Sequence, residues 1–130
     1  MIQTVGLLMV ALLFGGMVLY SFGFAAFVFS ALPAETARTA LRNAFPHFYI
    51  FVMATSAAAA ALLWPSNSTS ALWLAAIALT TLPARQLLMP AINKATDAGE
   101  KKRFAVLHSA SVILTLAHIA AAGYVLSRFL

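Results

Sequence analysis

Four long apolar runs separated by three short polar breaks leave this chain few folds to choose from. The runs extend from about Gln3 to Leu32, Phe45 to Trp64, Ala71 to about Pro90, and Phe104 to about Ser127. A helix needs about 20 residues to cross a hydrocarbon core of about 30 Å, so each run crosses once. The first run is longer than that and is expected to tilt or protrude. Barrel strands would be about 10 residues long and alternate in polarity, which no segment here does. Lipid offers the backbone no hydrogen-bond partners, so helices are the remaining solution. The expectation is an all-α integral membrane four-helix bundle formed by residues 1–130 as a single domain.

Composition points the same way. The chain is 63% hydrophobic and 8% charged, against about 25% charged residues in soluble domains. It has too few polar side chains to cover a water-facing surface, which excludes a soluble enzyme and a disordered chain. The absence of cysteine excludes disulfides, zinc–thiolate sites, iron–sulfur clusters and thiol catalysis. The formal charge of +5 does not signal nucleic acid, because the basic residues sit in short clusters between apolar runs.

Those clusters set the expected orientation. Arg38 and Arg42 occupy the first break, and Lys94, Lys101, Lys102 and Arg103 the third. The second break has no Lys or Arg, and the C-terminal end has only Arg128. Six against one predicts both termini outside and the first and third breaks in the cytoplasm, in an inner membrane. Met1-Ile2-Gln3-Thr4 lacks the basic start of a cleaved signal, so the first run is expected to be retained. Trp64 and Trp73 flank the uncharged break, with Tyr124 near the same face, as an interfacial belt would require. Pro33 is expected to open a short interfacial helix that Phe45-Pro46 ends. In the third break, either Gly99 closes one helix or Asp97 and Glu100 cap the next.

The acidic residues inform through their positions. Glu35, Asp97 and Glu100 all fall in breaks. Without a carboxylate in any span, paired-carboxylate acid–base catalysis and di-iron carboxylate sites are excluded. The polar residues left within the spans are His47, Arg85, Gln86, His108, His118 and several hydroxyls. Phe104, His108, Ser111, Thr115, His118 and Ala122 recur at heptad spacing, which predicts one inward stripe. Gly16, Tyr20, Gly23 and Phe27 repeat the spacing on the first run, so Tyr20 is expected to face the histidines across the bundle. By depth, His47, Arg85, Asn93 and His108 converge on one polar pocket near the cytoplasmic face, and His118 lies near the midplane.

Imidazole is the commonest metal ligand, and bundle cores can hold haem between histidines. His108 and His118 are the candidate metal ligands, though three turns, about 15 Å, keep them from sharing one ion. The expected activity is non-enzymatic handling of a small ligand, a metal ion such as copper or a haem, through His47, Arg85, Asn93, His108, Ser111, His118 and Tyr20. One alternative is a structural or assembly subunit whose polar residues lock helices together, with Arg85 only snorkelling to the headgroups. Another is a haem-dependent membrane oxidoreductase. The expected surroundings are the bilayer and a second copy or membrane-complex partner, not nucleic acid.

Several segments carry a family likeness: Gly23-Phe24, Phe45-Pro46-His47-Phe48-Tyr49, Pro90-Ala91-Ile92-Asn93, and Phe104-Ala105-Val106-Leu107-His108-Ser109-Ala110-Ser111. In these the chain resembles the transmembrane protein 205-like family, small four-helix membrane proteins catalogued as domain of unknown function 4149. The resemblance implies the four-helix fold and membrane location, and carries over His108 and Ser111 best. A more distant likeness to copper-resistance membrane proteins and to a membrane protoporphyrinogen oxidase stops short. No histidine lies in the first run and no lysine in the third, where oxidase-type chemistry would want them.

Overall fold

A computed structural model describes all of residues 1–130. It contains four long helices and no strand: α1 (Ile2–Ala31), α2 (Ala34–Leu63), α3 (Ser68–Asp97) and α4 (Lys101–Ser127). Leu32 and Trp64, the expected ends of the first two spans, lie one residue beyond α1 and α2, and the third and fourth expected spans lie within α3 and α4. All four are long and apolar enough to cross a bilayer, and the protein is a multi-pass membrane protein. At about 1.5 Å per residue the 30-residue helices measure about 45 Å. That exceeds the hydrocarbon core of about 30 Å, and the surplus of α2, α3 and α4 carries the charges.

Local chemistry sets the turns. Leu32 is extended, and Pro33, with φ −55° and ψ 147°, starts α2 without needing an N–H. Pro65 follows the end of α2. The side chain of Asn67 accepts from the Ser70 N–H at 3.0 Å to cap α3. Gly99 sits at φ +69°, the left-handed conformation that closes α3, whereas Glu100 precedes α4 without a side-chain cap bond. Of the two options for this break, glycine closure is the one present.

The first break differs from its expectation. Residues 34–44 are no separate interfacial helix; they continue into the span as one helix, with Pro46 inside it. A proline withholds one N–H, and a long helix packed on both sides tolerates the loss. Two π-helical turns interrupt the other helices, Leu19–Phe24 in α1 and Ala84–Leu88 in α3. The second follows directly on Pro83, whose missing N–H leaves a backbone carbonyl of the preceding turn without its helical partner.

Short turns make successive helices antiparallel and close a ring in which α1 and α3 each pack on both α2 and α4. Val10, Leu13 and Met17 meet Phe48, Val52 and Leu63, with Leu74, Ile77, Ala122 and Val125 completing the core. Gly16 permits the α1–α2 approach, since a Cβ there would lie 2.6 Å from the Phe51 ring. Enclosure is uneven: 39% of the most apolar window of α2 is buried but only 6% of that of α4. Helix α2 is therefore the packing centre and α4 the outer wall. At the uncharged end Trp73 meets Tyr124 edge-on at 5.8 Å, and Trp64 is exposed nearby in sequence, as an interfacial belt requires.

Candidate functional site

Three polar contacts between helices organise the interior, and two of them meet on α2 beside Pro46. Tyr20, in the π turn of α1, donates its hydroxyl to the Ala44 carbonyl at 3.0 Å. Arg85, in the π turn of α3, donates Nε–H to the Pro46 carbonyl at 3.2 Å and Nη1–H to Gln86 Oε1 at 3.0 Å. A π turn shifts the register of the helix face by adding a residue, and here each brings its polar side chain onto α2. Tyr20 thus turns to α2 and not, as its spacing had suggested, to the histidines of α4. Arg85 does more than snorkel.

The third contact joins α3 to α4. His118 is buried, and its Nε2 lies 2.7 Å from Thr80 Oγ1. The Thr80 hydroxyl also lies 2.7 Å from Ala76 O, so this threonine ties the imidazole to the backbone of α3. The partner a deep imidazole demands is a threonine that sequence reading did not single out, since the hydroxyls of Thr80 and Thr81 in an apolar run carry no signature.

The inward stripe on α4 forms in part. His118 and Ala122 are buried, and Phe104, Ser111 and Thr115 half-buried. His108, however, is exposed, stacked on Phe104 with ring centroids 5.3 Å apart, and its carbonyl accepts from the Ser111 hydroxyl at 2.7 Å. Phe104, Leu107 and Ser111 are half-buried at this end, so the covered face of α4 passes beside His108 and not over it. No group of three or more His, Asp and Glu side chains is close enough to hold a metal ion.

A groove of about 620 Å³ runs between α1 and α2. Its walls include Leu12, Gly16, Leu19, Phe24 and Phe51, and its polar side chains are Tyr20 and His47 alone. Of the expected pocket of His47, Arg85, Asn93 and His108, only His47 lines it. Arg85 reaches the backbone next to His47 from the far side of α2, Asn93 is half-buried on α3, and His108 stays on the surface of α4. The groove is strongly aromatic: Tyr20 stacks on Phe48 at 4.9 Å and 20°, and lies 5.0 Å from Phe24. Ser21, the next residue of the same π turn, keeps a buried hydroxyl oxygen without a hydrogen-bond partner. Sequence reading had Gly16, Tyr20 and Phe27 on one face; it missed Phe48 and Phe51 because an aromatic in an apolar run reads as core.

At the charged end Arg42 and Asp97 form a two-bond ion pair, Nη1–Oδ1 2.7 Å and Nη2–Oδ2 2.9 Å, tying α2 to the end of α3. The hydrogen bonds from Arg42 hold the Asp97 carboxyl below the usual carboxylate range and push the guanidinium up. Both groups are solvent-exposed and lie beyond the apolar spans.

The sequence model described as "Domain of unknown function (DUF4149)" matches residues 8–101. The chain belongs to the DUF4149 family. The match covers nearly all of α1, α2 and α3, and so contains the whole groove and both carbonyl contacts on α2. In this DUF4149 protein His108, Ser111 and His118 lie beyond the matched residues. No curated protein and no solved structure matches the chain.

Proposed function

We propose that this DUF4149 protein is a non-catalytic inner-membrane bundle that holds a small, largely apolar ligand in the α1–α2 groove. The observation that carries this is the pairing of an imidazole and a phenol in an otherwise apolar, aromatic groove within the family-matched part of the chain. A cavity of about 300–1,000 Å³ with a few placed polar groups is the ordinary form of a small-molecule site. The basic loops orient it toward the cytoplasmic leaflet, with both termini outside.

Haem is the metal-bearing candidate: the His47 imidazole would hold it and the aromatic walls would pack against it. Copper draws no support from the three-ligand geometry such a site would require. Purified protein in detergent tests the haem option directly. A Soret band that disappears in His47→Ala supports haem, and a colourless, metal-free preparation removes it and leaves an organic ligand.

A second reading, a structural subunit of a membrane complex, is favoured by one observation. Tyr20, Arg85 and His118 all place hydrogen bonds on neighbouring helices. On that reading, variants at these three positions and at His47 change stability and complex assembly but no ligand content.

A further inference from the structure

Resting on the ligand-binding reading above, the kind of molecule the groove takes follows from the charges it lacks. None of its ten lining residues is Asp, Glu, Lys or Arg. The cations of α2, and Arg85, are turned away or engaged. Arg42 is five residues from His47, about 140° around the helix at about 100° per residue, and is paired with Asp97. Arg38, nine residues from His47, is on the opposite side of α2 by the same rotation. Arg85 directs Nε to Pro46 O and Nη1 to Gln86. A ligand whose head is a phosphate or carboxylate would enter without a counter-charge, at a cost that low-dielectric surroundings make large.

An uncharged head suits the groove. His47 is five residues deeper than the Arg42–Asp97 pair, about 7.5 Å along the helix, so the imidazole sits just inside the charged layer. Around it Phe24, Phe27 and Phe51 line the trough with aromatic surface, while Tyr20 and Phe48 stack on each other. Deeper, Gly16 and Leu12 continue the trough, and from Leu12 to Phe27 it runs fifteen residues, about 22 Å. Half of a core of about 30 Å is about 15 Å, so a lipid lying in one leaflet fits lengthwise. Leu12 and Leu19 are 53% and 69% exposed, which leaves the trough open sideways to the bilayer.

We propose that the occupant is a neutral ring-headed lipid of the quinone class. The His47 N–H donates to a ring carbonyl, the ring lies against Phe24, Phe27 and Phe51, and the isoprenoid chain follows Gly16 and Leu12 toward the midplane. A lipid chain without a ring would leave the aromatic end of the groove poorly filled, and haem would bring its propionates to a site without cations.

Detergent-purified full-length protein titrated with decyl-ubiquinone, followed by calorimetry, tests this. Saturable binding is expected, with about tenfold weaker affinity in His47→Phe and a larger loss in Leu19→Trp, which fills the mouth from an exposed position. Haemin and a diacylglycerol serve as comparison ligands, and unchanged helical circular dichroism controls for folding. Decyl-ubiquinone binding that both variants leave intact overturns the assignment. Should haemin or the diacylglycerol bind through His47 where the quinone does not, the quinone assignment falls and the ligand-binding reading stands. Should none of the three bind, both fall.

Discussion

Tyr20 and Arg85 reach α2 from opposite neighbours and donate to carbonyls two residues apart, those of Ala44 and Pro46. Each donor lies in a π turn, the one of α1 and the one of α3. The central helix is thus held at its proline by side chains that regular α-helical register would have aimed elsewhere.

This clamp gives a first prediction. Tyr20→Phe and Arg85→Met each remove a hydrogen bond between helices and are expected to lower stability by about 0.5–1.5 kcal/mol. Thermal unfolding in detergent measures it. Because both bonds fix one short stretch of α2, the double variant is expected to depart from additivity. Full stability in Arg85→Met would return that residue to simple snorkelling.

Neighbouring glycines should respond with opposite sign. A Cβ at Gly16 would meet the Phe51 ring at 2.6 Å, whereas nothing lies within 4 Å of one at Gly15. Gly15→Ala is expected to stabilise by up to about 1 kcal/mol through helix propensity. Gly16→Ala displaces the Phe51 ring and is expected to destabilise by about 1–3 kcal/mol before that gain. Equal melting shifts for the two variants would contradict the close α1–α2 contact.

At the α3–α4 contact the two partners are not equivalent. Thr80 keeps its bond to Ala76 O if the imidazole is removed, but His118 has no other hydrogen-bond partner. Thr80→Val therefore strands the buried imidazole nitrogen, at about 1–3 kcal/mol. His118→Leu, which fills similar space with apolar atoms, is expected to be the milder change. Unfolding midpoints in the reverse order would show that the imidazole does not depend on Thr80.

The Arg42–Asp97 pair predicts an acid response. The Asp97 pKa is lowered in the folded protein, so its stabilisation is present above the ordinary carboxylate value of 3.8. It is lost as pH falls through the lowered folded-state value. The effect is small, since both groups are exposed, and salt screens it. Asp97→Asn is expected to remove the pH-dependent part and leave α2 and α3 closed at their buried faces. Stability profiles from pH 7 into acid, at low and high salt, check it; a slope unchanged in Asp97→Asn would assign the response to other groups.

Much of this architecture is legible residue by residue. The long uncharged runs give four crossings because lipid leaves a backbone nothing to bond but itself, and Pro33 opens a helix through its fixed φ. The Asn67 cap was not read, and the choice of Gly99 over Asp97 and Glu100 came from the structure. The site was less legible. His108 occupies the same heptad series as His118, yet one is on the surface and the other is buried. Periodicity says which residues share a face, and not which of them a neighbouring helix covers.

Sequence alone therefore determined the helical crossings, the charged end and the absence of carboxylates from the interior, because each depends on a single segment in contact with its solvent. Only the tertiary structure decided that Tyr20 turns to α2, that His118 finds Thr80 and that His47 lines a groove without charge. Those outcomes depend on the register between helices, which two π turns and one close glycine contact shift by distances comparable to a hydrogen bond.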